Sequence, residues 1–224
     1  NLANISTPGY RRRVESYESY ERKANALGTG IEAPRFNMKI DFTPGTIQQT
    51  GNHLDLALTN ESTKDGNAFF VLKTPNGGER FTRSGRFSMD SEGHMVHASS
   101  GLPLILPNGT PVTLNPSGGD PTIDVQGRIS QAGQEVGQIH VARFGRLDNV
   151  RPLDHGLFSP GSNNSTESVA GNVEIRQGQL EMSNAGVVDE LVNMITNYRA
   201  YETSQRIIKT MDQTAQKLLQ VAAA

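Results

Sequence analysis

Cysteine and tryptophan are both absent from the 224 residues, and aromatic residues make up only 6% of the chain. Without cysteine there is no thiol nucleophile, no zinc–thiolate site and no disulfide. The redox compartment stays open, because the fold depends on neither oxidising nor reducing conditions. With 23 glycines, 11 prolines and 35% hydrophobic residues, the composition is typical of short strands and many turns around a lean core.

Bulk charge of one sign is also missing. A net charge of −2 and a pI near 6.2 give no electrostatic basis for binding nucleic acid or an anionic membrane. No apolar run approaches the ~18–20 residues that span a bilayer, and no charged-then-apolar leader is visible. We therefore expect neither membrane insertion nor a cleaved signal peptide. The one basic cluster, Arg11 to Arg13, is followed by Glu15, Glu18 and Glu21 and is interpreted as a solvated face of mixed charge.

Residues 36–178 show short β-type runs separated by turn residues. AFFVLKT (68–74) is predicted as a strand, and ERFTRSGRFSMD (79–90) alternates, which places Phe81 and Phe87 on one face of an extended segment. Strands at this spacing predict an antiparallel β-sandwich or a distorted barrel.

Three further features belong to the same region. The dipeptide Asn108-Gly109 favours a two-residue hairpin, because both positions tolerate positive φ. GQIHVARF (137–144) is the last clear strand pattern, and the polar stretch 159–172 is predicted to be a solvated loop.

From Asn184 to about Val221 the apolar residues recur every three or four positions, which predicts an amphipathic helix of about 38 residues and 57 Å. Ser183 or Asn184 is its expected cap. The apolar seam slips at residues 203–205, which changes local supercoiling. So long a helix exceeds the ~30 Å width of the β-domain. Its seam is therefore expected to pack against other helices, in a coiled-coil-like arrangement that joins copies of the chain.

Signs of chemistry are few. His94 and His97 form H-x-x-H, but positions i and i+3 of a strand point to opposite faces and cannot share a metal. No nucleophile elbow, phosphate-binding loop, zinc-protease or EF-hand motif occurs. The aspartates lie mostly in or near turns, where they cap backbone amides. We therefore expect no enzyme activity, no catalytic residues, no cofactor, no metal and no small-molecule substrate.

Two terminal motifs carry a family resemblance. The stretch QGQLEMSNAGVVDELVNMITNYRAYETSQRIIKTMDQ (177–213) resembles the closing signature of bacterial flagellar rod and hook proteins, and NLANISTPGYRRR (1–13) resembles its opening half. Residues 42–58, 69–96 and 138–144 are similar to the β-domain of the rod proteins, so the resemblance covers nearly the whole chain.

The resemblance implies a structural subunit of the flagellar basal-body rod. Such a subunit is exported through the flagellum without a cleaved signal and self-assembles through its terminal helices into a hollow helical drive shaft that spans the periplasm. Leu2 and Asn4 would belong to the end of an N-terminal helix that Thr7-Pro8-Gly9 terminates. Expected partners are copies of the chain and other rod and hook axial proteins. The proximal and distal rod types both remain open.

The expected division is residues 1–35 as the end of the N-terminal helix and a connector, 36–178 as the β-rich outer domain, and 179–224 as the helical assembly segment. The predicted helix interface has two parts. Its packing residues are Val188, Leu191, Met194, Ile195, Tyr198, Tyr201, Ile208, Met211 and Leu218. Arg199 and Glu202 would bridge subunits or, equally, form an exposed pair within the helix.

Three alternatives are weighed against the rod subunit. One is a flagellar hook subunit, although hook proteins usually carry larger inserted domains. Another is an adhesin-like β-sandwich binding module on a coiled-coil stalk, which the scarcity of aromatic residues disfavours. The third is a hydrolase with converging carboxylates and a titrating histidine in a concave site.

Overall fold

The computed structural model describes residues 1–17, 36–59, 68–162, 164–169 and 173–222. The chain divides into two compact units. The first comprises Asn1 and Ala3–Asn184, and the second comprises Leu2 and the segment that begins at Ala185. The first unit consists of β-strands and short 3-10 turns, and the second is built on one α-helix.

The strands are short. They are β1 (Arg13–Tyr17), β2 (Phe36–Ile40), β3 (Ile47–Gln49), β4 (Leu56–Thr59), β5 (Ala68–Lys73), β6 (Glu79–Thr82), β7 (Phe87–Met89), β8 (Met95–His97), β9 (Thr122–Ile123), β10 (Arg128–Gln131), β11 (Gln134–Gln138), β12 (Val141–Phe144), β13 (Val150–Pro152), β14 (Leu157–Pro160), β15 (Thr166–Ser168), β16 (Glu174–Gln177) and β17 (Gln179–Glu181). The helix, α1, is Val187–Ala222.

The largest sheet has six antiparallel strands in the order β13-β14-β6-β5-β12-β15. Its central strand, β5, is apolar at every position before Lys73, because both faces of the sheet are covered. Side chains alternate between the faces. Phe70 and Leu72 therefore join the larger of two hydrophobic clusters, and Phe69 and Val71 join the smaller one.

Smaller antiparallel ladders complete the unit: β9-β10-β11, β7-β8, β4-β16, β3-β17 and β1-β2. Most of them contribute residues to the larger cluster, including Leu56, Phe87, Met95, Ile129 and Ile175. The chain reverses at Asn108-Gly109, where Gly109 has a φ of 80° and Leu106 pairs with Thr110. The mainly β fold with antiparallel sheets and a long C-terminal helix is thus confirmed. Among the described strands no sheet closes into a barrel.

Three details of the predicted strands are wrong. Residues 79–90 do not form one extended segment. The chain breaks between β6 and β7, and Phe81 and Phe87 join different clusters. The reason is Gly85, which lies so close to Leu56 that a Cβ atom would come within 1.6 Å of the Leu56 carbonyl oxygen. Alternation alone did not reveal this close backbone approach.

The other two errors concern the region after Phe144, for which the sequence pattern predicts no further strand and a solvated loop at residues 159–172. Five further strands, β13 to β17, follow β12. The predicted loop 159–172 contains β15, which pairs with β12, and Val169 is buried. Residues 163 and 170–172 of that loop lie outside the described residues. Polar composition concealed these strands, because each is only three or four residues long and most lie at an edge or in a two-stranded ladder.

His97 is fully buried at the end of β8. Its Nδ1 atom lies 2.8 Å from Ser100 Oγ, and its ring packs edge-on against Phe87. Burial, with a smaller effect from the charge of His155, lowers the pKa of His97 to about 4. Of the predicted H-x-x-H pair, His94 instead contacts Asp90, with Nδ1 and Oδ2 3.2 Å apart.

The buried His97 gives a pH-dependent stability. Its pKa is lower in the folded chain than in the unfolded chain, so the unfolded chain binds more protons between pH 6.5 and about 4. The contribution of His97 to the free energy of unfolding is therefore fully present above pH 6.5. About 3 kcal/mol is lost as the pH falls from 6.5 to about 4. We expect urea titrations to show this fall, and His97→Asn, which can keep the contact with Ser100, to flatten it. His53→Asn is the control, because His53 is more than half exposed; an equal flattening by both variants would contradict the assignment.

Candidate assembly site

The large apolar side chains of helix α1 that the structure describes are exposed, from Val187 to Met211. It contains 36 residues without proline or glycine, which corresponds to about 54 Å. The apolar residues of the predicted interface are exposed by 39–72%. They are Val188, Leu191, Met194, Ile195, Tyr198, Tyr201, Ile208 and Met211. The side chain of the remaining member, Leu218, lies outside the described residues. An exposed apolar face of this length is typical of an interaction site.

The exposed apolar residues form two faces on different sides of α1. At 3.6 residues per turn, the N-terminal half presents a front face made of Val187, Val188, Leu191, Val192, Met194, Ile195, Tyr198 and Tyr201. The C-terminal half presents a rear face made of Ile207, Ile208 and Met211, turned by about 150° around the helix axis. The change of side falls at residues 203–205, where the sequence pattern slips.

The other predicted interface residues have less distinctive surroundings. Arg199 and Glu202 are both exposed, and no ion pair between them is present in the described part of α1. Leu2–Asn4 forms a single 3-10 turn in which Leu2 is 44% exposed. Asn4 is half-buried, and its carbonyl oxygen accepts a hydrogen bond from Thr7 N. The resemblance implied the end of an α-helix here, so the 3-10 turn is a difference. A role of Leu2 and Asn4 in assembly stays a prediction.

A buried group of charges lies where the N-terminal segment meets β17. Glu181 accepts from Arg83, with Nε and Oε2 2.5 Å apart, and forms an ion pair with Arg11, whose Nη1 is 2.6 Å from Oε1. Arg83 also donates to the carbonyl oxygens of Ala68 and Leu58. The side chains of all three charged residues are at most 2% exposed. We call Arg11, Arg83, Glu181 and the neighbouring Asn184 the terminal junction.

The charges of the terminal junction depend on one another. Burial by itself would raise the pKa of Glu181, but the charges of Arg83 and Arg11 and their hydrogen bonds outweigh it and hold that pKa below its usual value. Burial lowers the pKa of Arg11, and the charge of Glu181 opposes that effect. Two buried cations therefore share one carboxylate, and removal of that carboxylate would leave both without a counter-charge.

Asn184 and the Glu181 backbone extend the junction to the main chain. Asn184 Oδ1 accepts from Arg12 N at 2.7 Å, and its Nδ2 donates to the carbonyl oxygens of Asp41 and Thr43. The Glu181 carbonyl oxygen accepts from Gly9 N at 2.7 Å. Gly9 has a φ of 68°, and a Cβ atom there would lie 2.2 Å from Ser84 N, so only glycine fits.

Two expectations are corrected here. Asn184 holds the N-terminal segment instead of capping the helix, which begins at Val187. Arg11 and Arg12 are not a solvated face, because Arg11 is buried against Glu181 and Arg12 lies 3.6 Å from Asp41. Arg11, Arg12, Glu181 and Asn184 all lie within the two terminal signatures, but nothing in the sequence pairs them. Each signature does contain polar residues beside turn residues, but this pattern does not indicate which of them meet in the fold.

The concave site expected of a hydrolase has a partial counterpart in the first unit. A cavity of about 380 Å³ is lined by Tyr10, Arg13, Ser99, Asp154, His155 and other residues. Among the described residues of this lining Asp154 is the single carboxylate, so they provide no converging carboxylate pair. No cluster of three or more metal-ligating side chains occurs in the described parts of the chain. Likewise, none of the helical residues described here forms a segment long and apolar enough to cross a bilayer.

Comparison with known proteins agrees with the terminal signatures. Residues 176–221 match the family described as "Flagellar basal body rod FlgEFG protein C-terminal", and residues 65–131 match "Flagellar hook protein FlgE/F/G D1 domain". The flagellar basal-body rod protein FlgF of Caulobacter vibrioides is 32% identical over 220 residues, which cover 96% of this chain and 85% of that protein. The chain belongs to the flagellar basal-body rod protein family.

Relatives with two different names share this similarity. The flagellar basal-body rod protein FlgG of Buchnera aphidicola subsp. Schizaphis graminum is 31% identical, with 99% of this chain and 91% of that protein covered. FlgF of Salmonella typhimurium is 30% identical, with 95% and 86% covered. Basal-body rod proteins are structural subunits, so this member of the family is a structural component of the flagellar basal body. The adhesin-like binding module receives no support from these relatives.

Proposed function

We propose that this rod protein assembles through α1, with copies of itself and with other rod and hook axial proteins, into a hollow helical shaft that crosses the periplasm. The observation that supports this is the exposed apolar surface that α1 carries in two stretches, Val187 to Tyr201 and Ile207 to Met211. A helix with uncovered apolar faces on two sides gains stability when neighbouring helices cover both. The subunit would reach the shaft through the flagellar export route, without a cleaved signal peptide.

We further propose that residues 179–224 act as the assembly segment and that its two parts have different roles. The part up to Asn184 fixes the segment to the β-rich unit through Glu181 and Asn184. The part from Val187 onward supplies the packing surface. Val188, Leu191, Met194, Ile195, Tyr198, Tyr201, Ile208, Met211 and Leu218 would be its contact residues, with Leu2, Asn4, Arg199 and Glu202 at the same interface.

The test is sedimentation with negative-stain imaging over a concentration series. We expect the full chain to form concentration-dependent fibres or rods, and a chain that ends at Gly186 to remain monomeric. This end point keeps Glu181 and Asn184, so the β-rich unit retains its terminal junction.

A pair of matched variants separates apolar packing from bulk charge. Leu191→Glu with Tyr198→Glu places two charges on the front face and should abolish assembly. Asn193→Glu with Asn197→Glu adds the same charge on the opposite side of the same half of α1, where the sequence is polar, and should preserve assembly. Assembly that survives both the truncation and the front-face charges would contradict a role for α1.

A further inference from the structure

Two turns of the β-rich unit share the sequence Pro-Asn-Gly. The first, at residues 75–77, joins β5 to β6, and the second lies at residues 107–109. The glycines, Gly77 and Gly109, have φ angles of 79° and 80°. Each donates its N–H to the carbonyl oxygen three residues earlier, at 2.9 Å in both turns. Both asparagines are exposed, so the two turns match in sequence, main-chain hydrogen bonding and exposure.

The side chains of the two asparagines have different surroundings. Asn108 Oδ1 accepts from Thr110 N at 3.0 Å and from Thr110 Oγ1 at 2.7 Å. Lys73 Nζ donates to the carbonyl oxygen of Gly109 at 2.7 Å and ties the same turn to the end of β5. Within the described part of the chain, the Asn76 side chain has no hydrogen-bond partner. It can therefore change rotamer without breaking a hydrogen bond, whereas that of Asn108 cannot.

An asparagine followed by glycine can lose its side-chain nitrogen without an enzyme, because glycine has no Cβ atom to hinder the approach of its main-chain nitrogen. That nitrogen gives up its proton and bonds to the asparagine Cγ. The bond between Cγ and Nδ2 breaks, the amide group leaves as ammonia with the proton, and a succinimide ring closes. Water then adds to either ring carbonyl and opens the ring, which gives aspartate or isoaspartate. Water is consumed and ammonia is released, and no atom is oxidised or reduced.

We propose that Asn76 is a site of spontaneous deamidation and that Asn108, in the matching turn, is protected from this reaction. The ring closes only when the asparagine Cγ swings onto the nitrogen of the next residue. At Asn108 that swing breaks both hydrogen bonds to Thr110, and the contact from Lys73 holds the reacting glycine in place. At Asn76 only the main-chain hydrogen bond of Gly77, which has its equivalent in the other turn, has to open. Two additional hydrogen bonds should slow the reaction about tenfold.

Peptide mapping by mass spectrometry tests both sites in one sample of the full chain, stored in warm, mildly alkaline buffer. Trypsin places the two asparagines in different peptides, because Arg80 and Arg86 lie between them. We expect Asn76 to convert about tenfold faster than Asn108. Methylation by an isoaspartate methyltransferase detects the isoaspartate product independently. The control is the same chain in urea, where the contacts of the folded state are lost and the two asparagines should convert at similar rates.

A reciprocal exchange of the residue after each turn tests the cause. Thr110→Gly removes the hydroxyl donor and should speed the conversion of Asn108, whereas Gly78→Thr supplies a hydroxyl and should slow that of Asn76. Unchanged urea midpoints would show that both variants keep the fold. Equal conversion of the two asparagines in the folded wild-type chain, or faster conversion of Asn108, would overturn the proposal. So would an Asn76 that stays intact in the folded chain and converts in urea, because the main-chain hydrogen bond of the turn would then be sufficient protection.

Discussion

Replacing Glu181 by alanine is expected to lower the free energy of unfolding by about 3–5 kcal/mol. The carboxylate is 1% exposed and is the counter-ion of two buried arginines, Arg11 and Arg83. Its removal leaves both guanidinium groups in a site of low polarity without the charge that offsets their desolvation. It also removes the acceptor for Gly45 N. Because Arg11 loses its ion pair with Glu181, the N-terminal segment, residues 1–12, should detach before the β-rich unit unfolds.

Urea denaturation, followed by circular dichroism, measures this loss. The matched control is Asp148→Ala, which removes an ion pair of 2.7 Å, with Arg146, from an exposed site. Exposed pairs contribute at most about 1 kcal/mol, so the control should unfold at nearly the wild-type midpoint. Equal midpoints for Glu181→Ala and Asp148→Ala would show that burial of the terminal junction contributes no stability.

Replacing Phe69 by alanine is expected to lower the free energy of unfolding by about 3–5 kcal/mol, the usual loss for a buried phenylalanine. Phe69 is fully buried on β5, and its ring contacts those of Phe42, Phe144 and Phe158, with centroids 6.0, 5.0 and 5.4 Å away. Alanine would leave a cavity among three rings that are held by different strands and connections, so the neighbours can fill it only in part.

Two further variants test whether the loss of stability comes from the cavity that Phe69→Ala leaves. Phe69→Leu retains much of the side-chain volume and should lose distinctly less stability than Phe69→Ala in the same urea titration. Leu153→Ala removes a side chain that is 38% exposed and should change the midpoint little. If Phe69→Ala behaved like Leu153→Ala, the smaller hydrophobic cluster would not be a continuous core.

Periodicity predicted the elements whose environment is uniform along their length. The run AFFVLKT gave β5, because a strand covered on both faces is apolar at successive positions. The spacing of three and four gave α1 within a few residues of its observed ends. Periodicity did not separate β6 from β7 or reveal β15, since those depend on contacts of Gly85 and Ser168 with strands distant in the sequence.

For the candidate site, too, the regular element could be predicted from the sequence and the contacts between distant residues could not. Exposed residues of α1 could be predicted from the sequence, because an apolar seam on a helix longer than its domain has nothing within that domain to cover it. The terminal junction could not be predicted from the sequence. Arg11 carries no local mark that distinguishes a buried arginine from its neighbours Arg12 and Arg13, and its partner Glu181 is fixed only by the fold.

The terminal junction also sets an order of events when the chain folds. Its hydrogen bond between Arg12 and Asn184 joins residues 172 positions apart, so the loop that it closes includes nearly the whole β-rich unit. Closing so long a loop is slow and is unfavourable until the intervening strands have formed. During synthesis the segment around Arg12 is therefore expected to wait for Glu181 and Asn184, and to be the final part of the β-rich unit to become fixed.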